Sequence, residues 1–206
     1  MLQAVSLTCR RGQRRVFSEL SLRLEAGQCC LVSGPNGSGK TSLLRILANI
    51  AQADEGQLIW HDRPVQSNDS DYRRQLVYGG HAPGLNSSLS VQENLDSLLM
   101  QDRVPLEQDA CDQALLAGGL LAYRRVPVRQ LSAGQRRRVF LVRLSLSNRP
   151  LWILDEQLTA LDSAGQKFLG ELIAQHLHKQ GAVILTSHQT LPWDLEVQHL
   201  DLGQAC

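Results

Sequence analysis

Residues 34–41 read Gly-Pro-Asn-Gly-Ser-Gly-Lys-Thr, the pattern G-x-x-x-x-G-K-[ST] with Gly34, Gly39, Lys40 and Thr41 at the required positions. Upstream, Cys29-Cys30-Leu31-Val32-Ser33 is a short apolar run suited to a buried strand. Downstream, Ser42 to Ala48 carries apolar residues at helical spacing. Strand, glycine-rich turn and helix is the setting in which this octapeptide cradles phosphates. The turn aims backbone N–H groups inward and the helix start adds partial positive charge. Gly34, Pro35, Asn36, Gly37, Ser38, Gly39, Lys40, Thr41 and Ser42 are therefore the candidate phosphate-binding set. Lys40 is expected to reach the β- and γ-phosphates of a nucleotide, and the Thr41 hydroxyl to bind Mg²⁺.

Short apolar runs alternate with helical patterns along the rest of the chain. Leu2–Thr8 and Leu20–Leu24 alternate as strands do and flank a basic turn, Arg10 to Arg15. Gln57–Trp60 and Gln75–Tyr78 read as further strands. From about residue 81 to 147 the pattern turns helical, with helices expected over Val91–Met100, Leu106–Ala117 and Ala133–Ser147. Leu151–Leu154 and Ala182–Thr186 read as buried strands separated by a helix from Asp162 to Gln180. Such alternation predicts a parallel sheet covered on both faces, with the helical stretch as an insertion.

Composition narrows the function. The 206 residues hold 21 Lys and Arg against 20 Asp and Glu, a net charge of +1, with 4% aromatics. That balance gives no global pull toward nucleic acid or anionic lipid, and few rings for base stacking. No apolar run reaches the roughly 18 residues of a membrane span, and no signal peptide is expected. Five cysteines at 9, 29, 30, 111 and 206, with no C-x-x-C pair, predict reduced thiols rather than a disulfide framework or a zinc site. Cys29 and Cys30 are expected to pack as small hydrophobes.

Leu151-Trp152-Ile153-Leu154-Asp155-Glu156 is a strand ending in two carboxylates. At the C-terminal edge of a parallel sheet they lie beside the phosphate loop. Asp155 is placed to hold Mg²⁺, and Glu156 to polarise an attacking water as general base. Leu131-Ser132-Ala133-Gly134-Gln135 offers a hydroxyl and bare N–H groups at a helix start. On its own it reads as an ordinary N-cap.

The order phosphate loop, Leu-Ser-Ala-Gly-Gln, Asp-Glu strand, Thr159-Ala160-Leu161-Asp162 and Thr186-Ser187-His188 resembles the nucleotide-binding subunits of ABC transporters over nearly the whole chain. The resemblance implies a P-loop NTPase of the ABC ATPase type: an α/β mixed-sheet core, an N-terminal antiparallel β part and a helical subdomain. It implies one domain over 1–206, with 1–80 and 148–206 as core and 81–147 as the helical part. It implies ATP and Mg²⁺ as ligands and a head-to-tail, ATP-dependent homodimer. Ser132, Gly134 and Gln135 would then bind the ATP held by the other protomer, and Asp162 would lie at the seam. Lys40, Glu156 and His188 would be catalytic, with His188 contacting the γ-phosphate.

Gly80-His81-x-Pro83-Gly84, Leu131 to Val139, Leu151 to Glu156 and Val183-Ile184-Leu185-Thr186-x-His188-Gln189 look like the haem-exporter ATPases of cytochrome c maturation. That resemblance implies separate integral membrane subunits as partners, no nucleic acid, and a peripheral position at the cytoplasmic face of the bacterial inner membrane. Another ABC exporter, a soluble ABC ATPase and a non-hydrolysing module are the rival expectations.

Three departures stand out. His81 replaces the Gln that in ABC ATPases contacts Mg²⁺ and the membrane subunit. Imidazole is a poor direct Mg²⁺ ligand, so His81 is a metal candidate acting through a water, or serves coupling alone. Gln157 stands where most of the family has Pro. The usual adenine-stacking aromatic is missing, and Cys9, Arg10 and Arg11 occupy that region, where an Arg plane is the alternative platform.

Overall fold

The computed structural model describes residues 1–203 except Pro83, Arg103, Val104, Leu106 and Gln189. The expected helix start at Leu106, the motif positions Pro83 and Gln189, and Cys206 lie outside the described residues.

Among the described residues, nine strands and six α-helices follow the order β1 (Leu2–Arg11), β2 (Arg14–Leu24), β3 (Cys29–Ser33), α1 (Lys40–Leu47), β4 (Glu55–Trp60), β5 (Arg63–Pro64), α2 (Ser70–Arg73), β6 (Leu76–Gly79), α3 (Val91–Asp102), α4 (Gln108–Ala117), α5 (Ala133–Leu146), β7 (Leu151–Leu154), α6 (Ser163–His178), β8 (Ala182–Thr186) and β9 (Gln198–Asp201). They form two compact units. The first comprises Met1–Tyr78, Arg149–Glu156 and His176–Cys206, and the second Gly79–Asn148 and Gln157–Gln175.

The first unit carries a four-stranded sheet, β2-β1-β4-β5, in which each strand runs antiparallel to its neighbours. Alternation along β1 sends Leu2, Ala4 and Leu7 inward, with a bulge after Ala4 where Ser6 takes a φ of 50°. The basic stretch expected as a turn is the tip of this hairpin. Arg10 pairs with Arg15 and Arg11 with Arg14 across a two-residue turn at Gly12-Gln13. These four side chains are exposed, so water screens the like charges.

The second sheet has the order β6-β7-β8-β3-β9, with β7, β8, β3 and β9 in parallel register. Every residue of β7 and β8 is buried, as continuous apolar runs require when both faces are covered. Strand β9, Gln198-His199-Leu200-Asp201, was not expected from sequence. It is a mostly exposed edge strand without an apolar run. Cys29 and Cys30 are buried, and burial pushes both thiols up to about 12, which makes them inert packing residues.

The second unit is helical. Val91 and Leu95 of α3, Cys111 and Leu115 of α4, and Val139 and Val142 of α5 form its core, with Phe168 of α6 packed against it. Asp102 closes the end of α3 with two hydrogen bonds from Arg143, at 2.9 and 3.0 Å. This fork-to-carboxylate pair has side chains only 8% and 15% exposed.

In the first unit His176 stacks on Trp152 with ring centroids 3.8 Å apart and planes 7° apart. Burial pushes the imidazole down from 6.5 to about 4. The unfolded chain therefore takes up this proton first. The stability that the neutral ring contributes is complete above about pH 6.5 and is lost as the pH falls toward about 4. His176→Phe keeps a stacked ring and removes that slope. Its urea midpoint is expected to change less than the parent's between pH 7 and pH 5.

Candidate functional site

The chemistry collects where the parallel strands end. Strand β3 runs into the phosphate loop, whose glycines take φ values open only to glycine: 137° at Gly34, 83° at Gly37 and 101° at Gly39. Gly39 caps α1, and a Cβ there would collide with Val16 Cγ1. The loop thus wraps tightly at the start of α1, with no acidic side chain in the first turn to compete for an anion.

Lys40 is buried, and its ammonium donates to the carbonyls of Gly34 at 2.7 Å and Pro35 at 3.1 Å. A triphosphate oxygen can replace these neutral acceptors with a charge-assisted one. The loop opens on a cavity of about 420 Å³ lined by Asn36, Gly37, Gly39, Lys40, Thr41 and Ser42, by Glu156, and by Arg11, Arg14 and Val16 of the hairpin. Among the described residues no aromatic ring lines it. Arg11 donates to Ser42 Oγ at 2.8 Å, which holds its guanidinium at the cavity wall. The site therefore offers a cationic plane where a ring was expected to be missing.

Register brings the carboxylates to the same edge. Val32 pairs with Thr186 and Leu154 with Leu185, so Asp155, one residue beyond β7, comes level with Thr186. The Thr186 hydroxyl donates to Asp155 Oδ1 at 2.8 Å and accepts from the Glu156 N–H at 2.9 Å. One hydroxyl thereby orients both carboxylate residues. Glu156 sits at φ 53°, a left-handed conformation unusual for a glutamate. That turn points the side chain at His188, whose Nε2 lies 2.8 Å from Oε1. An ionised carboxylate only accepts, so the ring nitrogen donates this bond. Asp155 is buried and Thr41 exposed, and both supply the hard oxygens that Mg²⁺ takes. Among the described residues no group of three or more His, Cys, Asp and Glu could hold a metal on its own.

In the helical unit Ser132 and Gln135 form a capping box at the start of α5. Ser132 Oγ accepts from Gln135 N at 3.1 Å and Gln135 Oε1 from Ser132 N at 2.8 Å. Gly134 lies in the first turn of the same helix. Asp162 accepts from the Gly165 N–H at 2.9 Å and pairs with Arg138. Those two interactions, the backbone bond first, hold its carboxyl below the usual range. His81 is exposed. Sequence reasoning missed the orienting role of Thr186 and the bonds of Gln157, because both depend on strands and loops distant in the chain.

The profile of the ABC transporter family matches residues 17–159. The chain is 49% identical over 192 residues to the cytochrome c biogenesis ATP-binding export protein CcmA of Yersinia pestis, covering 93% of this chain and 87% of that one. It is 46% identical over 191 residues to CcmA of Pseudomonas aeruginosa, covering 93% and 94%. Among solved structures, an ABC transporter ATP-binding protein from Pyrococcus furiosus matches with a TM-score of 0.85 at 22% identity, over 99% of this chain and 98% of that one. The dimeric ABC transporter cassette MJ0796 matches with a TM-score of 0.83 at 21% identity, over 98% and 95%. At such identities these two bear on the fold alone.

Gly39→Ala places a methyl group against Val16 in a left-handed backbone. It is expected to weaken binding of a fluorescent ATP analogue at least about ten-fold by distorting the N–H cradle, with the far-ultraviolet dichroism unchanged.

Proposed function

Because this chain belongs to the ABC transporter family, and within it to the cytochrome c biogenesis ATP-binding export proteins, we propose that it is the ATP-hydrolysing subunit of a transporter complex serving haem handling in c-type cytochrome assembly. The observation that carries hydrolysis rather than binding alone is Glu156. Its carboxylate lines the phosphate-loop cavity and is hydrogen-bonded to His188.

The residues divide the work as follows. Backbone N–H groups of the loop and the Lys40 ammonium take the phosphates. Arg11 and Arg14 face the nucleoside end of the cavity, with the Arg11 guanidinium as a stacking plane for the base. Thr41 and Asp155 hold Mg²⁺, which neutralises charge on the phosphates when bound. Glu156 accepts the proton of the attacking water, and His188 keeps that carboxylate oriented and contacts the γ-phosphate. Ser132, Gly134 and Gln135, at the N-terminus of α5, serve the ATP of a second copy in a head-to-tail dimer, with Asp162 at the seam. His81 contributes to turnover as well as to the coupling to separate membrane subunits. No described helix is long and apolar enough to cross a membrane.

Deleting the gene in its host and staining membranes for covalently bound haem tests the assignment. Wild type is expected to restore c-type cytochromes and Lys40→Ala to fail. Normal cytochromes in the deletion strain would remove the haem reading and leave an ABC ATPase of another exporter. In the purified chain, Glu156→Gln is expected to lower ATP turnover by roughly 10²-fold or more while ATP binding persists, since the amide no longer accepts the proton. Turnover at the parent rate would exclude Glu156 as the base. Arg11→Ala is expected to raise KM for ATP several-fold with kcat nearly unchanged, because base stacking is the same in the ground and transition states.

A further inference from the structure

We propose that Gln157 and Arg137 form a clamp that positions His81 by holding the backbone at the end of β6. The inference rests on the hydrolytic reading above and adds two positioning residues to it. Gln157 is 2% exposed and Arg137 6% exposed, so both polar groups are taken out of water. Burial of that kind is costly unless the groups are hydrogen-bonded. Their bonds converge on one short segment. The Gln157 side-chain amide donates to the carbonyls of Gly79 and Gly80, each at 2.9 Å. Arg137 donates to the His81 carbonyl at 3.0 Å, and more weakly to that of Gly80 at 3.4 Å. It also donates to Gln157 Oε1 at 3.1 Å, which fixes the orientation of the amide. Three consecutive carbonyls are thus read by two interlocked side chains.

Space reinforces the clamp. A Cβ on Gly79 would meet Phe140 Cζ at 2.6 Å and Gln157 Nε2 at 3.2 Å, so only glycine lets the strand end approach this closely. The held carbonyls leave the His81 side chain exposed and presented outward. A proline at position 157 would have no side-chain donor, so it could not make these bonds. Gln157 also directly follows Glu156 in the chain, so the residue that reads the His81 segment is covalently joined to the proposed base.

The test compares ATP turnover by the full-length purified chain as parent, Gln157→Met, His81→Ala and the double variant, with Gln157→Asn as a smaller perturbation. Methionine keeps the volume and removes both donors. His81→Ala leaves the clamped carbonyls in place and removes what they present. Gln157→Met is expected to lower kcat about ten-fold with KM within two-fold of the parent, a loss of positioning rather than of binding. His81→Ala is expected to lower kcat comparably. The double variant should be no slower than the slower single one, because both remove the same contribution. Gln157→Asn should fall between.

Parent-like kcat in Gln157→Met would overturn the proposal. So would losses that multiply in the double variant, or a change confined to melting temperature. A parent chain that hydrolyses no ATP would instead sink the functional reading. Amide exchange at Gly80 and His81 then still decides the clamp: slow in the parent and fast in Gln157→Met supports it, and equal rates refute it.

Discussion

Strands β3, β7 and β8 are parallel, buried and in fixed register, and their ends deliver a phosphate loop, two carboxylates and a histidine to one edge of a sheet. Side chains alternate along a strand, so slipping β8 by one residue would turn Thr186 to the opposite face and separate it from Asp155 and Glu156. Close packing on both faces opposes that slip, because each buried side chain of Leu151–Leu154 and Ala182–Thr186 is fitted to its present neighbours. The core thus specifies the site through register as well as through bulk stability.

Polar contacts then convert register into orientation. The Thr186 hydroxyl uses both its donor and its acceptor capacity on adjacent residues of one turn. Glu156 occupies a left-handed conformation of the kind that costs of order 1–3 kcal/mol, and its N–H bond to Thr186 helps to hold it there. Lys40 rests on carbonyls of its own loop, so the ammonium is satisfied before any phosphate arrives. Phosphate binding is therefore an exchange of partners, and its net gain comes from charge rather than from a newly made hydrogen bond.

The helical unit handles its polar groups by the same logic. Asp102 takes a forked pair from Arg143, Ser132 and Gln135 satisfy each other's backbone donors, and Arg137 and Gln157 spend their capacity on carbonyls at the end of β6. Each is a buried or terminal polar group matched by a partner from another turn or another helix. Such matching makes the arrangement specific, because any displacement leaves a desolvated group unpaired.

The amino-acid sequence alone determined the phosphate loop, the two buried carboxylate-bearing and threonine-bearing strands, the capped helix at Ser132 and the helical stretch after residue 81. Each of these is local: a glycine spacing, an apolar run or a cap residue reports on neighbours within one turn or one strand. Tertiary structure decided what locality cannot express. The exposed edge strand β9 exists because β3 offers it a ladder partner. The basic Arg10–Arg15 stretch is strand on both sides of a two-residue turn because β1 and β2 pair there. Thr186 reaches Asp155, and Gln157 reaches Gly79 and Gly80, across chain separations of 31, 78 and 77 residues. A hydrogen bond depends on distance in space to a few tenths of an ångström. That distance is set by strand register and helix packing, which no short window of sequence contains.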